Sequence, residues 1–167
     1  MKKLSILFFA LVFALTFCSC SARGDFPKDT TGEEDSSFVS VLSDGNIINA
    51  YEGFLWSETW TGAGWLCADG TRLSGNLSSV YHQLPKIPNG NDYGIIYSDG
   101  VEFNSMSVFN NDFEEIINVT EPLPTDKLEE GRYYLIITVT VQGKFVPSQN
   151  KYETSCYQCA FSFDITG

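Results

Sequence analysis

From residue 38 onward the apolar positions fall mostly at every second residue, in short runs broken by turn-forming dipeptides. Such alternation marks strands with one buried face. Residues 133–142 are the clearest case: Leu135, Ile137, Val139 and Val141 face one way, Thr138, Thr140 and Gln142 the other. Residues 152–165 repeat it, with Tyr157, Cys159, Phe161, Phe163 and Ile165 opposite Gln158, Ser162 and Asp164. In 54–61 the aromatic set Phe54, Trp56 and Trp60 opposes Ser57, Thr59 and Thr61, which predicts that the aromatic face is core. Further strands are expected at 38–42, 46–51, 65–68, 93–98, 101–109 and 113–120, the last with Phe113, Ile117 and Val119 on one side. Asp44-Gly45, Asp69-Gly70, Asp99-Gly100 and Asn110–Asp112 supply the turns. Asp-Gly between apolar runs predicts that 93–98 and 101–109 form a β-hairpin.

Residues 71–92 lack a clear period. A short helix or a loop is expected over 76–84, ended by Pro85, Pro88 and Asn89-Gly90-Asn91. No long helical pattern occurs anywhere. Eight or nine strands with short connections predict an all-β fold, two antiparallel sheets packed face to face.

The first residues read differently. Lys2 and Lys3 precede an apolar run, 4–17, interrupted only by Ser5 and Thr16. A spanning helix needs about 20 apolar residues, and the length and flanks suit a secretory signal peptide. Residues 17–22, Phe-Cys-Ser-Cys-Ser-Ala, resemble the bacterial lipobox, in which a small residue precedes the cysteine that becomes residue one of the mature protein. Ser19 stands before Cys20, whereas bulky Phe17 stands before Cys18, so the resemblance implies lipidation of Cys20. The expected organisation is a lipoprotein signal peptide over 1–19, a flexible tether over 20–37 and one β-sandwich domain over 38–167. The tether is small, charged and turn-forming, and cannot bury enough surface to offset the entropy of ordering it. The expected location is the extracytoplasmic face of a bacterial cell membrane, with the membrane itself a partner through the acyl chains.

Charge narrows the partners. The chain has a net charge of −11, and in 38–167 the acidic residues number 16 against 6 basic. A nucleic-acid ligand is excluded, because a duplex must be neutralised by Lys and Arg. Flat contact with anionic lipid is disfavoured for the same reason.

Catalytic and metal chemistry finds little support in the sequence. Beyond the lipobox the cysteines are Cys67, Cys156 and Cys159. Outside the membrane disulfides are permitted, and a bridge from Cys67 to Cys159, or to Cys156, is one expectation. Three buried free thiols are the other. Cys156-x-x-Cys159 lies in a strand with its members on opposite faces, unlike a redox pair at a helix start. A zinc site of Cys67, Cys156, Cys159 and His82 lacks the spacing that makes such sites legible. His82 is the sole histidine, and no Gly-x-Ser-x-Gly elbow accompanies it. The adjacent acids Glu114-Glu115 and Glu129-Glu130 point to opposite faces if on strands. The Asp/Asn/Gly clusters at 44–46, 89–92 and 110–112 offer oxygens to calcium, but turn chemistry explains them and none has EF-hand spacing. No catalytic residue, metal site or cofactor is therefore expected. Trp60 and Trp65 flank the break at Gly62–Gly64 and are the candidate ligand-facing aromatics.

Leu128-x-x-Gly131-x-Tyr133-x-Leu135 resembles the tyrosine corner of immunoglobulin-like and fibronectin-III-like sandwiches. The resemblance implies that the Tyr133 hydroxyl bonds to backbone upstream. The lipobox, the Trp-rich stretch 54–65 followed by Cys67-Ala-Asp-Gly70, and the final aromatic strand together resemble a group of uncharacterised small lipoproteins of Firmicutes with an immunoglobulin-like domain near the C-terminus. That likeness implies no activity. The expected function is a non-enzymatic binding module for a protein, peptide or saccharide. The alternatives are a proteinase-inhibitor-like or other protein-protective partner, binding through loops 84–92 and 121–127, and a hydrolase built on His82.

Overall fold

The computed structural model describes residues 37–90, 92–119 and 128–166. The expected signal peptide, Cys20, the expected tether up to residue 36 and the loop 121–127 lie outside the described residues. Among those described there are ten strands: β1 (Val39–Ser43), β2 (Asn46–Asn49), β3 (Tyr51–Trp60), β4 (Trp65–Asp69), β5 (Lys86–Ile87), β6 (Gly94–Tyr97), β7 (Val101–Phe109), β8 (Glu115–Val119), β9 (Gly131–Val146) and β10 (Lys151–Ile165). One α-helical turn, α1 (Leu77–Val80), lies between two 3-10 turns, Ser74–Asn76 and Tyr81–Gln83.

The strands make two sheets. A small one has the order β2-β1-β6, and a large one the order β4-β3-β10-β9-β7-β8. All these pairs are antiparallel. The two-residue β5 runs parallel to β10, beyond the end of its ladder with β3. The all-β sandwich read from the alternation is therefore the architecture. Val39 and Val41 of β1 pack against Met106 and Val108 of β7, Leu135, Ile137 and Val139 of β9, and Cys159, Phe161 and Phe163 of β10, all fully buried. Burying each large apolar side chain contributes roughly 1.5–3 kcal/mol, so this inter-sheet layer is the main source of stability. The β1–β2 turn has φ of 50° at Asp44 and 76° at Gly45. Positive φ at both central residues is the hairpin geometry whose twist matches the flanking strands.

Three expectations are corrected. First, Asp99-Gly100 does not close a hairpin. β6 pairs with β1 in the small sheet, whereas β7 pairs with β8 and β9 in the large one. The turn exists, with Val101 N–H donating to the Ser98 carbonyl at 3.2 Å and φ of 76° at Gly100, but it carries the chain from one sheet to the other. Turn chemistry fixes the reversal and leaves the pairing partner open.

Second, Phe54 does not share a face with Trp56 and Trp60. Tyr157 opposes Phe54 and Cys156 opposes Trp56, so Leu55 is an extra residue, a β-bulge. The bulge reverses the alternation. Phe54 packs edge-on to Tyr157 on the inter-sheet face, while Trp56, opposite Cys156, is turned to the other. Phe113, at φ 63°, is likewise parted from Ile117 and Val119 and packs on that other face.

Third, the large sheet is covered on both faces. Tyr134 and Ile136 of β9 and Ala160 of β10 are buried opposite the small sheet, under Leu73, Leu77, Val80 and Leu84 of the helical segment. Gln158, the one buried amide side chain of β10, accepts the Leu73 N–H at 2.7 Å and fixes that segment to the sheet. Gly53 makes room for it: a Cβ there would lie 2.5 Å from Leu73 Cγ.

Candidate functional site

Where the helical segment leaves the sheet, a pocket of about 270 Å³ opens. Tyr81, His82 and Leu84 form its roof side, Lys86 of β5, Arg132 and Tyr134 of β9 and Ser162 of β10 the rest. The ladder explains the gathering. Asp164 lies opposite Arg132, and Ser162 lies between Tyr134 on β9 and Lys86 on β5. A larger open groove of about 730 Å³ continues past Arg132 and Asp164 to Glu130, Ile165 and Asn111.

Asp164 is the electrostatic centre. Its Oδ2 is 2.6 Å from Lys86 Nζ and its Oδ1 is 3.0 Å from Arg132 Nε. Hydrogen bonds from Arg132 and then Lys86 hold its carboxyl below the usual carboxylate range, and the same contact raises Arg132. Arg132 uses only Nε in this pair and its side chain is 52% exposed, so the donors of its terminal nitrogens are not spent on Asp164. Tyr134 is 2% exposed, its hydroxyl makes no hydrogen bond among the described residues, and no buried side-chain oxygen or nitrogen lacks a partner there. Its hydroxyl is therefore the atom that reaches the pocket. The Tyr81 ring, 43% exposed, is held at the mouth by Phe113 at 5.4 Å, His82 at 5.7 Å and Tyr134 at 6.2 Å between centroids.

His82 and Ser162 line one pocket with Asp164 close by, but they do not form a hydrolytic unit. The Ser162 hydroxyl donates to the Pro85 carbonyl at 3.4 Å, His82 Nε2 lies 3.4 Å from Gln83 Nε2, and Asp164 is held by two cations. The nucleophile–base–acid chain that acyl transfer uses is not made.

The tryptophans named from sequence are brought together. Trp60 and Trp65 oppose each other across β3 and β4 with centroids 5.6 Å apart. They are half-buried rather than exposed. Lys151 explains part of this: its ammonium sits 4.6 Å over the Trp65 ring and pairs with Glu58. The Trp60 backbone N–H donates to the Glu153 carboxylate at 2.9 Å. Lys151 of β10 thus covers one face of the Trp65 ring.

All three described cysteines are free, Cys67 exposed, Cys156 and Cys159 buried. The expected bridge from Cys67 is not made. Strand β3 lies between β4 and β10, so at least two strand spacings, about 9.6 Å, separate Cys67 from either partner, beyond the ~7 Å Cα limit of a disulfide. Cys159 is offset further along the strands, because it opposes Glu52 where Cys67 opposes Glu58. Cys159 moreover faces the inter-sheet core. Among the described residues no three His, Cys, Asp or Glu side chains gather as a metal site, and no helix is long and apolar enough to cross a membrane. Asn110 explains its own cluster, its Oδ1 accepting the Asp112 and Glu114 N–H groups at 3.0 and 2.9 Å. The expected binding loop at 84–92 does not project where it is described, since Lys86 and Ile87 pair with β10 and Leu84, Ile87 and Gly90 are buried.

The chain matches no family model, no curated protein and no solved structure.

Proposed function

We propose that this chain is a non-enzymatic binding module, carried on the extracytoplasmic face of a bacterial membrane by acyl chains on Cys20. The observation that carries the reading is the pocket between the helical segment and the large sheet. It combines an open aromatic ring, unused donors and hydroxyls with no nucleophile joined to a base, which is the make-up of a recognition site. The bond from Tyr133 to the Glu129 carbonyl, at 3.0 Å within the Leu128-x-x-Gly131-x-Tyr133 motif, supports an immunoglobulin-like or fibronectin-III-like type of sandwich.

The test is a thermal-shift panel of cell-wall saccharides, plant and mucin glycans and peptides on the full mature protein in detergent micelles. A ligand at 100 times its Kd adds about 2.7 kcal/mol of stability, a readable rise in Tm. Turnover of an ester, peptide or glycoside that disappears in His82→Ala would defeat the reading.

A further inference from the structure

We infer that the pocket around Arg132 takes a carboxylate-bearing saccharide unit, a uronic-acid-like pyranoside, with the carboxylate on the terminal nitrogens of Arg132. This rests on the binding-module reading and names its ligand class. Five Lys and Arg residues are described in this acidic chain, and two of them, with its sole histidine, line this one pocket. As a clamp between strands the cluster would contribute little. The side chains of Lys86 and Arg132 are 53% and 52% exposed, and exposed pairs contribute little to stability. One cation would also suffice to neutralise Asp164. The second gives the cluster of Lys86, Arg132 and Asp164 a net positive charge, with Glu130 lining the adjoining groove and not this pocket. Nε alone of Arg132 is spent on Asp164, which leaves its terminal nitrogens for a bidentate carboxylate.

The remaining lining suits a sugar ring better than a bare anion. The Tyr134 and Ser162 hydroxyls and the exposed His82 ring offer donors and acceptors to ring hydroxyls. Tyr81 presents a fixed aromatic face to the apolar C–H side of a pyranose. The volume of about 270 Å³ admits one such unit, and the larger groove beyond Arg132 leaves space for the next in a chain.

The experiment is an NMR titration of the ¹⁵N-labelled mature protein in micelles, following Arg132 Nε–H and the backbone amides of Tyr81, His82 and Lys86. Methyl glucuronide, methyl glucoside, inorganic phosphate and inorganic sulfate are the probes. Saturable shifts with the glucuronide are expected, with the glucoside at least about tenfold weaker, since losing a charged contact costs about 1.5–3 kcal/mol. Arg132→Gln should lose the glucuronide response. Asp164→Asn should strengthen it, because it removes the internal competitor for both cations. A purely structural clamp predicts that neither variant alters binding, and that result overturns the proposal. Phosphate or sulfate binding as tightly as the glucuronide overturns the sugar assignment. Neutral glycans that bind while the glucuronide does not would sink this site and leave the binding module standing.

Discussion

The Tyr133 hydroxyl donates to the Glu129 carbonyl at 3.0 Å, tying the start of β9 to the chain four residues upstream. The same ring stacks on Phe163 of β10 at 5.7 Å between centroids. Tyr133→Phe keeps the stacking and removes only the bond. We expect a loss of about 1 kcal/mol, the usual worth of one intramolecular hydrogen bond, read as a lower urea midpoint at unchanged slope. A midpoint equal to that of the parent would mean that water replaces the hydroxyl without cost.

The contact between Gln158 and Leu73 ties the start of the helical segment to the buried face of the sheet, while the Ser162 N–H holds the Pro85 carbonyl just past its end at 2.9 Å. Gln158→Ala strands the Leu73 N–H in an apolar layer. The expected cost is about 1–3 kcal/mol, the penalty of a buried unpaired donor. Leu73→Ala should cost about 2–5 kcal/mol through the cavity it leaves. Hydrogen exchange of residues 73–84 is the discriminating measurement. Both variants should speed exchange there well before they speed it in β9 and β10. Uniform acceleration would show that the segment does not open separately.

These two regions differ in how legible they were. The strands β9 and β10 announce themselves because one face of each is apolar over many residues while the other carries Thr, Gln, Ser and Asp. The helical segment was hidden. Leu73, Leu77, Val80 and Leu84 do fall at helical spacing, but Ser74, Gly75, Asn76, Ser78 and Ser79 between them are poor helix formers, and only one α-helical turn results. Tyr134, Ile136 and Ala160 on the second face of the sheet were the complementary signal, since an outward apolar stripe requires a cover. The bulge at Leu55 could not be read, because alternation says nothing about where it is reset. The pocket was invisible for another reason. Lys86, Arg132 and Asp164 are far apart in the chain and meet only through the register of β5, β9 and β10.

The cysteines separate by exposure. Cys67 is open to solvent at the edge strand β4, whereas Cys156 and Cys159 are buried. Burial, aided by the nearby Glu52 carboxylate and Cys156, pushes the Cys159 thiol well above its ordinary range, and burial raises Cys156 as well. The reactive form is the thiolate. Iodoacetamide on the native protein should therefore modify Cys67 alone, and in denaturant without reductant all three, as read by peptide mass spectrometry. Protection of Cys67 together with either other cysteine, relieved only by reductant, would restore the disulfide.

Burial also sets an alkaline limit through Tyr93, whose phenol is pushed up to about 12 from 10.0. Its ring packs on Phe163 at 6.1 Å between centroids, against the inter-sheet core. Below pH 10 the phenol is neutral in both folded and unfolded chains, so it adds no pH dependence. Between 10 and about 12 the unfolded chain gives up this proton and the folded one keeps it. Stability must therefore fall as pH rises through that window. Tyr97, Tyr134 and Tyr157 are raised in the same direction by burial and add to the slope. Tyr93→Phe retains the ring, and its stability at pH 8 should lie close to that of the parent. Urea midpoints measured from pH 8 to 12 should then decline less steeply in the variant. Parallel decline in the two proteins would place the alkaline sensitivity in the other tyrosines and show that Tyr93 ionises as freely in the folded chain as in the unfolded one.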